Sequence, residues 1–320
     1  MKAWTYRKGL HDLGNGLYAY LQPDGGWGWS NAGLIVDGDR SLLVDTLFDM
    51  NITRDMLATM TDATGLKPGD INTIVNTHAN GDHTHGNGCC EHAEIIASEA
   101  SAREMEQVTP KLMAQMIANA PDMGDIGAYF ASIFGMFDFA GVVERAPTRT
   151  FSGKLSLKVG DKEVKLIEVG PAHTAGDVLV HVPEDRTVFT GDILFIDGTP
   201  VMWAGPVSNW VKACDAILAM DVDVIVPGHG PITDKAGVRR VQDYLRFCDR
   251  EARKRYDAGM SVRDAAHDIA LGDYSSWTDA ERIGVNVSTL YREYAGRLHE
   301  PANIAETFGL MAELKRGRAH

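Results

Sequence analysis

The segment NTHANGDHTHGN, residues 76–87, follows the apolar run INTIV and places three histidines, one aspartate and three asparagines in twelve positions. A short apolar run bounded by polar residues predicts a buried strand. His78, Asn80, Asp82 and His83 therefore emerge where a strand gives way to a loop, on backbone rigid enough to hold ligands. A lone histidine is most often a packed or surface residue, and a lone Asp-His pair an ion pair. Four potential ligands within six positions point to a metal instead.

Three further segments repeat this placement. IEVGPAHTAGD puts His173 in a loop after a strand, VFTGDIL puts Asp192 at a strand end behind a glycine, and VIVPGHG puts His229 between glycines after another strand. Each alone is an ordinary loop residue. Together they supply imidazoles and carboxylates flanked by small residues at four strand ends, a nitrogen and oxygen donor set that suits Zn²⁺, with Fe and Mn as alternatives.

The ordered set HANGDH, PAHTAGD, TGDI and PGHG, with LLVDT upstream, resembles the metallo-β-lactamase superfamily of hydrolases over residues 15 to about 232. The resemblance implies an αββα sandwich with one or two metals. One would be held by His78, His173 and whatever Asn80 provides, the other by Asp82, His83 and His229, with Asp192 bridging and a hydroxide between the metals as nucleophile. Asp45, in LLVDT, falls where the family keeps a carboxylate that orients ligands from behind; the alternative is an aspartate capping a strand end.

Asn80 departs from the family pattern HxHxDH. An amide oxygen is a weak neutral ligand beside an imidazole, so the first metal position is expected to be the looser one. His85 is the spare histidine, which could complete the weakened site, protonate a leaving group, or sit at a helix start. Asp82 and His85 are the candidate catalytic residues.

The rest of the chain is read as two rounds of strands with helices, a pattern that favours two packed sheets with helices outside. GLYAYLQ and NAGLIVDGDRSLLVDT read as a meander with a hairpin at DGD. NITRDMLATMTDATG reads as a helix with Ile52, Met56, Leu57 and Met60 on one stripe. Residues 101–150 read as a helical insertion holding five of the thirteen methionines and four of the ten phenylalanines. That suits either a flexible pocket wall or ordinary core cover. A strand set follows, then helices from 233 to 320 docked on a core domain spanning 1–232. Ser261 is the expected N-cap of one of these helices, with Asp264 three positions on.

Trp27 and Trp29, between glycines in a loop that overhangs the site in the family, and Met202 and Trp203, in GTPVMWAGP, are read as pocket walls in preference to packing. They suggest a small apolar or aromatic substrate. His11, His92, His181, His267, His299 and His320 have no metal-like context and are read as structural or surface residues.

Composition narrows the partners. With 31 Lys and Arg against 44 Asp and Glu, a net charge of −13 opposes nucleic acid or an anionic membrane. The one basic cluster, residues 249–259, alternates signs at helical spacing and reads as a solvated helix face. The start lacks the apolar core of a signal peptide, no run approaches a membrane span, and the four cysteines form no disulfide or zinc pattern. The expectation is a cytoplasmic enzyme acting on a small molecule, with homo-oligomerisation left open. The leading reading is zinc-dependent hydrolysis of an ester, thioester, lactone or amide. Lyase, isomerase or cyclase chemistry, or a non-catalytic metal-binding role, are the alternatives.

Overall fold

The computed structural model describes residues 4–23 and 26–318. Two sheets stack face to face. The first contains, in spatial order, β1 (Gly9–Gly14), β2 (Leu17–Leu21), β3 (Ala32–Asp37), β4 (Arg40–Val44), β5 (Thr73–Val75), β6 (Glu94–Ser98) and β7 (Arg149–Phe151). Its first four strands are an antiparallel meander, and β5 to β7 add in parallel. The second runs from β8 (Lys154–Val159) through β9 (Lys162–Glu168), β10 (Val178–Val182) and β11 (Thr187–Phe189) to β12 (Val224–Val226), with β12 parallel to β11.

Parallel neighbours need crossovers, and helices provide them. Helix α1 (Met50–Thr64) links β4 to β5, and α6 (Val207–Ala219) links β11 to β12. Asp49 caps α1 by accepting from the backbone N–H of Asn51 and Ile52 at 2.8 and 2.9 Å. Gly65, at φ +79°, ends it in a left-handed turn that favours glycine. Met56, Leu57 and Met60 bury the expected stripe against Leu34, Leu43, Ile74 and Ile95 on the outer face of the first sheet. The opposite face carries Leu17, Ile35, Leu42 and Val44, which pack on Val164, Leu166, Val178 and Val180 of the second sheet. Because β3 and β4 are covered on both sides, LIV and LLV are continuous apolar runs.

Two helices α7 (Lys235–Asp257) and α9 (Ile283–Tyr294), with α8 (Val262–Asp268) and α10 (Ile304–Arg318), join α6 on the outer face of the second sheet. There Trp210, Tyr244, Leu245, Ile283, Val287 and Leu290 pack over Leu179, Val188 and Ile225. Ser261 caps α8 by accepting from Asp264 N–H at 3.1 Å. On the 249–259 face Glu251 pairs with Lys254 and Arg255.

The segment 101–150 is helical only in part. After α2 (Gly81–Thr84), helices α3 (Glu99–Glu104), α4 (Pro110–Asn119) and α5 (Gly124–Phe134) are followed by irregular chain, and β7 closes the segment as a strand. Gly135, Gly141 and Pro147 break the helical pattern. Phe130, Phe134, Phe137 and Phe139 gather with Phe48, Trp27 and, from α10, Phe308 into one aromatic cluster. Beneath it, Arg282 is 3% exposed, lies 4.2 Å from the Trp27 ring and pairs with Asp279 at 2.8 Å. This cluster ties the insertion, the Trp27 loop and the C-terminal helices together beside the strand ends.

Candidate metal centre

The C-terminal ends of β4, β5, β11 and β12, with the β9–β10 loop, bring Asp45, His78, Asp192, His229 and His173 to one point. Asp82 and His83 join them from α2, in the loop after β5. Asn76 and Asn87 hold the ends of that loop together. Their amides exchange hydrogen bonds of 3.2 and 2.9 Å, and Asn76 also donates to the carbonyl of His83 at 3.1 Å.

Each of the four histidines is pinned from behind through Nδ1. His83 donates to Asp45 Oδ2 at 2.9 Å, and His173 to the Val201 carbonyl at 2.6 Å. His229 donates to the Trp29 carbonyl at 3.1 Å. His78 donates to Thr77 Oγ1 at 3.0 Å, an oxygen whose own proton goes to Asp45 Oδ2 at 2.7 Å. The two carbonyls and the carboxylate accept only, and the Thr77 hydroxyl has its proton committed to Asp45, so Nδ1 is the donor and Nε2 the nitrogen presented inward on every ring. All four Nε2 atoms converge on Asp192, at 3.1 Å for His83, 3.3 Å for His173, 3.4 Å for His229 and 3.7 Å for His78. Asp82 Oδ2 stands 3.3 Å from His229 and 3.8 Å from His83.

Two groups able to hold a metal result, His78 with His83 and Asp192, and Asp82 with His83 and His229. Among the described residues, the inward nitrogens of His78 and His83 and Oδ1 of Asp192 are buried and make no well-directed hydrogen bond, although His83 and Asp192 stand 3.1 Å apart. Buried polar atoms are almost always satisfied. A convergent, unsatisfied set of nitrogen and carboxylate donors fits a cation of the zinc type.

The electrostatics agree. Burial pushes the carboxyls of Asp82 and Asp192 up, yet the surrounding histidines outweigh it, holding Asp82 at about 2 and Asp192 well below its ordinary range. Burial depresses His229, but Asp192 and Asp82 raise it to about 9, and His83 rises for the same reason. His78 and His173 are lowered, chiefly by burial. Protons on His83 and His229 therefore take the place that a metal must win.

Asn80 sits at the N-terminus of α2 with its Oδ1 2.7 Å from His173 Nε2. His85 joins neither metal-holding group. Its ring, 7% exposed, stacks on Phe48 at 5.5 Å and meets the edge of Phe139, and burial drops it to about 4. The walls divide. Trp29 and Trp203 are half-buried against the aromatic cluster, Trp29 on Phe137 at 5.0 Å and Trp203 on Phe308 at 6.4 Å. Trp27 is 8% exposed inside the aromatic cluster. Met202 is a correction: its side chain is fully buried with Trp210 and Tyr244 in the core under the second sheet, so it lines no pocket. The chain here alternates sides, which turns Trp203 towards Trp27 and Phe308 and Met202 into the core under the second sheet. His11, His92, His181, His267 and His299 belong to neither metal-holding group, and His320 lies outside the described residues.

Several supporting residues carried no obvious mark in the sequence. Asn31 donates to the carbonyls of Pro227 and Gly230, at 3.0 and 2.8 Å, and so holds the His229 turn. Phe195 stacks on His229 at 5.0 Å with the rings nearly parallel. Asp177 accepts from Thr174 N–H and Oγ1 at 3.0 and 2.8 Å, closing the loop of His173; its place in HTAGD was the available signal.

The family profile described as the Metallo-beta-lactamase superfamily matches residues 25–229. The chain belongs to the metallo-beta-lactamase superfamily. Within the superfamily it is 25% identical over 262 residues to the 2,4-dinitroanisole O-demethylase subunit alpha of Nocardioides sp., covering 79% of this chain and 61% of that protein. By structure it is similar to the stereoselective inverting sec-alkylsulfatase Pisa1 from Pseudomonas sp., with a TM-score of 0.66 at 17% identity, over 93% of this chain and 52% of that one. A metallo-beta-lactamase from Pontibacter korlensis gives 0.56 at 16% identity, over 75% of this chain and 99% of that one. The chain thus spans little more than half the length of the first two. Members of the superfamily are mostly metal-dependent hydrolases. No helix among the described residues is long and apolar enough to cross a membrane.

Proposed function

We propose that this chain is a zinc-dependent hydrolase of a small apolar or aromatic organic substrate, cleaving an ester, thioester, lactone or amide bond. The observation that carries the reading is the convergence of four back-pinned histidines on Asp192. Ligand geometry fixed by outward hydrogen bonds is what metal chemistry needs and what an ordinary polar core does not. Zinc bound there supplies Lewis acidity, making water nucleophilic at neutral pH and polarising the bond under attack.

The residues of the chain do the rest. Asp82, His83, His229 and Asp192 hold the ion, and Asp45 keeps the His83 proton on Nδ1. Trp29 and Trp203, half-buried, offer flat apolar surface to a substrate. His85, buried between Phe48 and Phe139, backs the site as a neutral ring. The names of the O-demethylase and alkylsulfatase relatives refer to small organic compounds, which supports the substrate class.

The test is a screen of aryl and alkyl esters, thioesters and lactones with metal-free and zinc-restored protein in oxygen-18 water. The expected result is activity that zinc restores, with one labelled oxygen in the product. Turnover without label would replace hydrolysis by lyase or isomerase chemistry, and turnover indifferent to metal would end the reading.

A further inference from the structure

Asn80 has so far been counted as a weak ligand, but its geometry is that of a hydrogen bond. Two ligands about 2.0–2.1 Å from one tetrahedral zinc lie about 3.3 Å apart. The inward atoms of His229, Asp82 and Asp192 keep that spacing, at 3.3 and 3.4 Å, and His173 keeps it to Asp192 at 3.3 Å, so the contact that sets His173 apart is the one with Asn80. Asn80 and His173 are 2.7 Å apart, too close for a shared ion and well placed for a hydrogen bond. His173 Nδ1 is already committed as a donor to Val201. On the neutral ring Nε2 is then an acceptor, and the Asn80 amide, turned through half a rotation, meets it with its NH₂ group. That contact takes the lone pair His173 would give to a metal.

The two metal-holding groups, moreover, share His83. One imidazole nitrogen binds one ion, so these two groups cannot both be filled at once.

Building on the metal-dependent reading above, we propose that Asn80 caps His173 and that this chain holds a single metal ion, bound by Asp82, His83, Asp192 and His229. Asn80 is here a positioning residue that converts a two-metal framework into a one-metal centre, and His173 becomes a neutral wall of the site.

Metal-free protein titrated with zinc, followed calorimetrically and by X-ray absorption, tests this. The expected stoichiometry is one tight equivalent, with no metal–metal distance of ~3.5–4 Å. Asn80→His is expected to bind two equivalents and to show that distance. Asn80→Ala, which frees the His173 lone pair without adding a ligand, is expected to keep the tight equivalent within threefold of the natural affinity and to gain a second, weaker one, whose absence would overturn the capping role, and it serves if Asn80→His does not fold. Two tight equivalents in the natural protein, the tight equivalent lost in Asn80→Ala, or a single equivalent in folded Asn80→His overturns the proposal while leaving metal dependence intact. No bound zinc in any of the three overturns the metal reading itself.

Discussion

Replacing Asp45 by asparagine isolates the support behind the metal from the metal ligands themselves. The Asp45 carboxylate is 2% exposed and accepts three hydrogen bonds, from Thr77 N–H at 2.7 Å, Thr77 Oγ1 at 2.7 Å and His83 Nδ1 at 2.9 Å. Asparagine has the same shape and tolerates the left-handed backbone found here, φ +62°. Its oxygen can keep the Thr77 N–H, which puts the NH₂ group where Oδ2 faced His83. Two donors then oppose each other. The pair is relieved when the His83 proton moves to Nε2, the atom 3.1 Å from Asp192. The nitrogen that should meet the metal is thereby blocked. Loss of such outer support weakens metal binding about 10- to 100-fold, or about 1.4–2.7 kcal/mol.

Competition for zinc against a chromophoric chelator measures this directly, and thermal unfolding of metal-free protein supplies the control. Metal-free Asp45→Asn is expected to lose about 1–3 kcal/mol, because the tautomer change gives the His83 side a partner but leaves the Thr77 hydroxyl proton, which went to Oδ2, without its acceptor. Asp45→Ala strands three donors and is expected to lose more, about 1–3 kcal/mol for each group left unpaired. Zinc affinity within twofold of the natural protein in folded Asp45→Asn would refute the reasoning.

Other expectations can be checked alongside. A Cβ on Gly228 would fall 2.0 Å from Asp192 Oδ1 and 2.6 Å from the Gly191 backbone; Gly228→Ala is expected to cost about 1–3 kcal/mol through overpacking, with zinc affinity reduced tenfold or more in the same chelator assay. His85→Phe keeps the stack on Phe48 and removes a buried titratable ring. The folded pKa of His85, about 4, lies below the ordinary 6.5, so the folded state binds fewer protons and the natural protein loses stability as pH falls from 6.5 towards 4. Denaturant unfolding at pH 7 and pH 4.5 should show the variant losing less than the natural protein over that window, the full difference approaching about 3 kcal/mol. Equal losses would mean that His85 gains a proton without penalty.

Much of the sandwich was legible because its signals are local. The apolar runs of β3, β4 and β5, the hairpin at Gly38 and the Met56–Leu57–Met60 stripe follow from side-chain periodicity alone, and the structure places each accordingly. The convergence of the site was legible for a related reason: every inward residue follows a strand, and small neighbours such as Gly228 are needed because a Cβ would strike the Asp192 carboxylate. Contacts between distant segments were not legible. Met202 and Trp203 are adjacent and equally apolar, and only the packing of α6 and α9 decides which is buried. Nothing in the spacing of HANGDH indicates that Asn80 lies against His173, 93 residues away. The insertion was read as helical with interruptions at Pro110, Pro121 and glycines, and the irregular chain after Phe134 is held by aromatic packing of Phe137 against Phe48 and Trp29, which no local pattern marks. β1 escaped notice because GLHDLG has too little apolar alternation to read as a strand.

Metal content tests the central claim most directly: protein purified without added metal, dialysed against metal-free buffer, and analysed by plasma mass spectrometry beside Asp82→Ala and His229→Ala. The account predicts close to one zinc per chain in the natural protein, and little or none in either variant while both remain folded by circular dichroism. A natural protein without bound metal after zinc loading, or variants that retain it in full, would contradict the account.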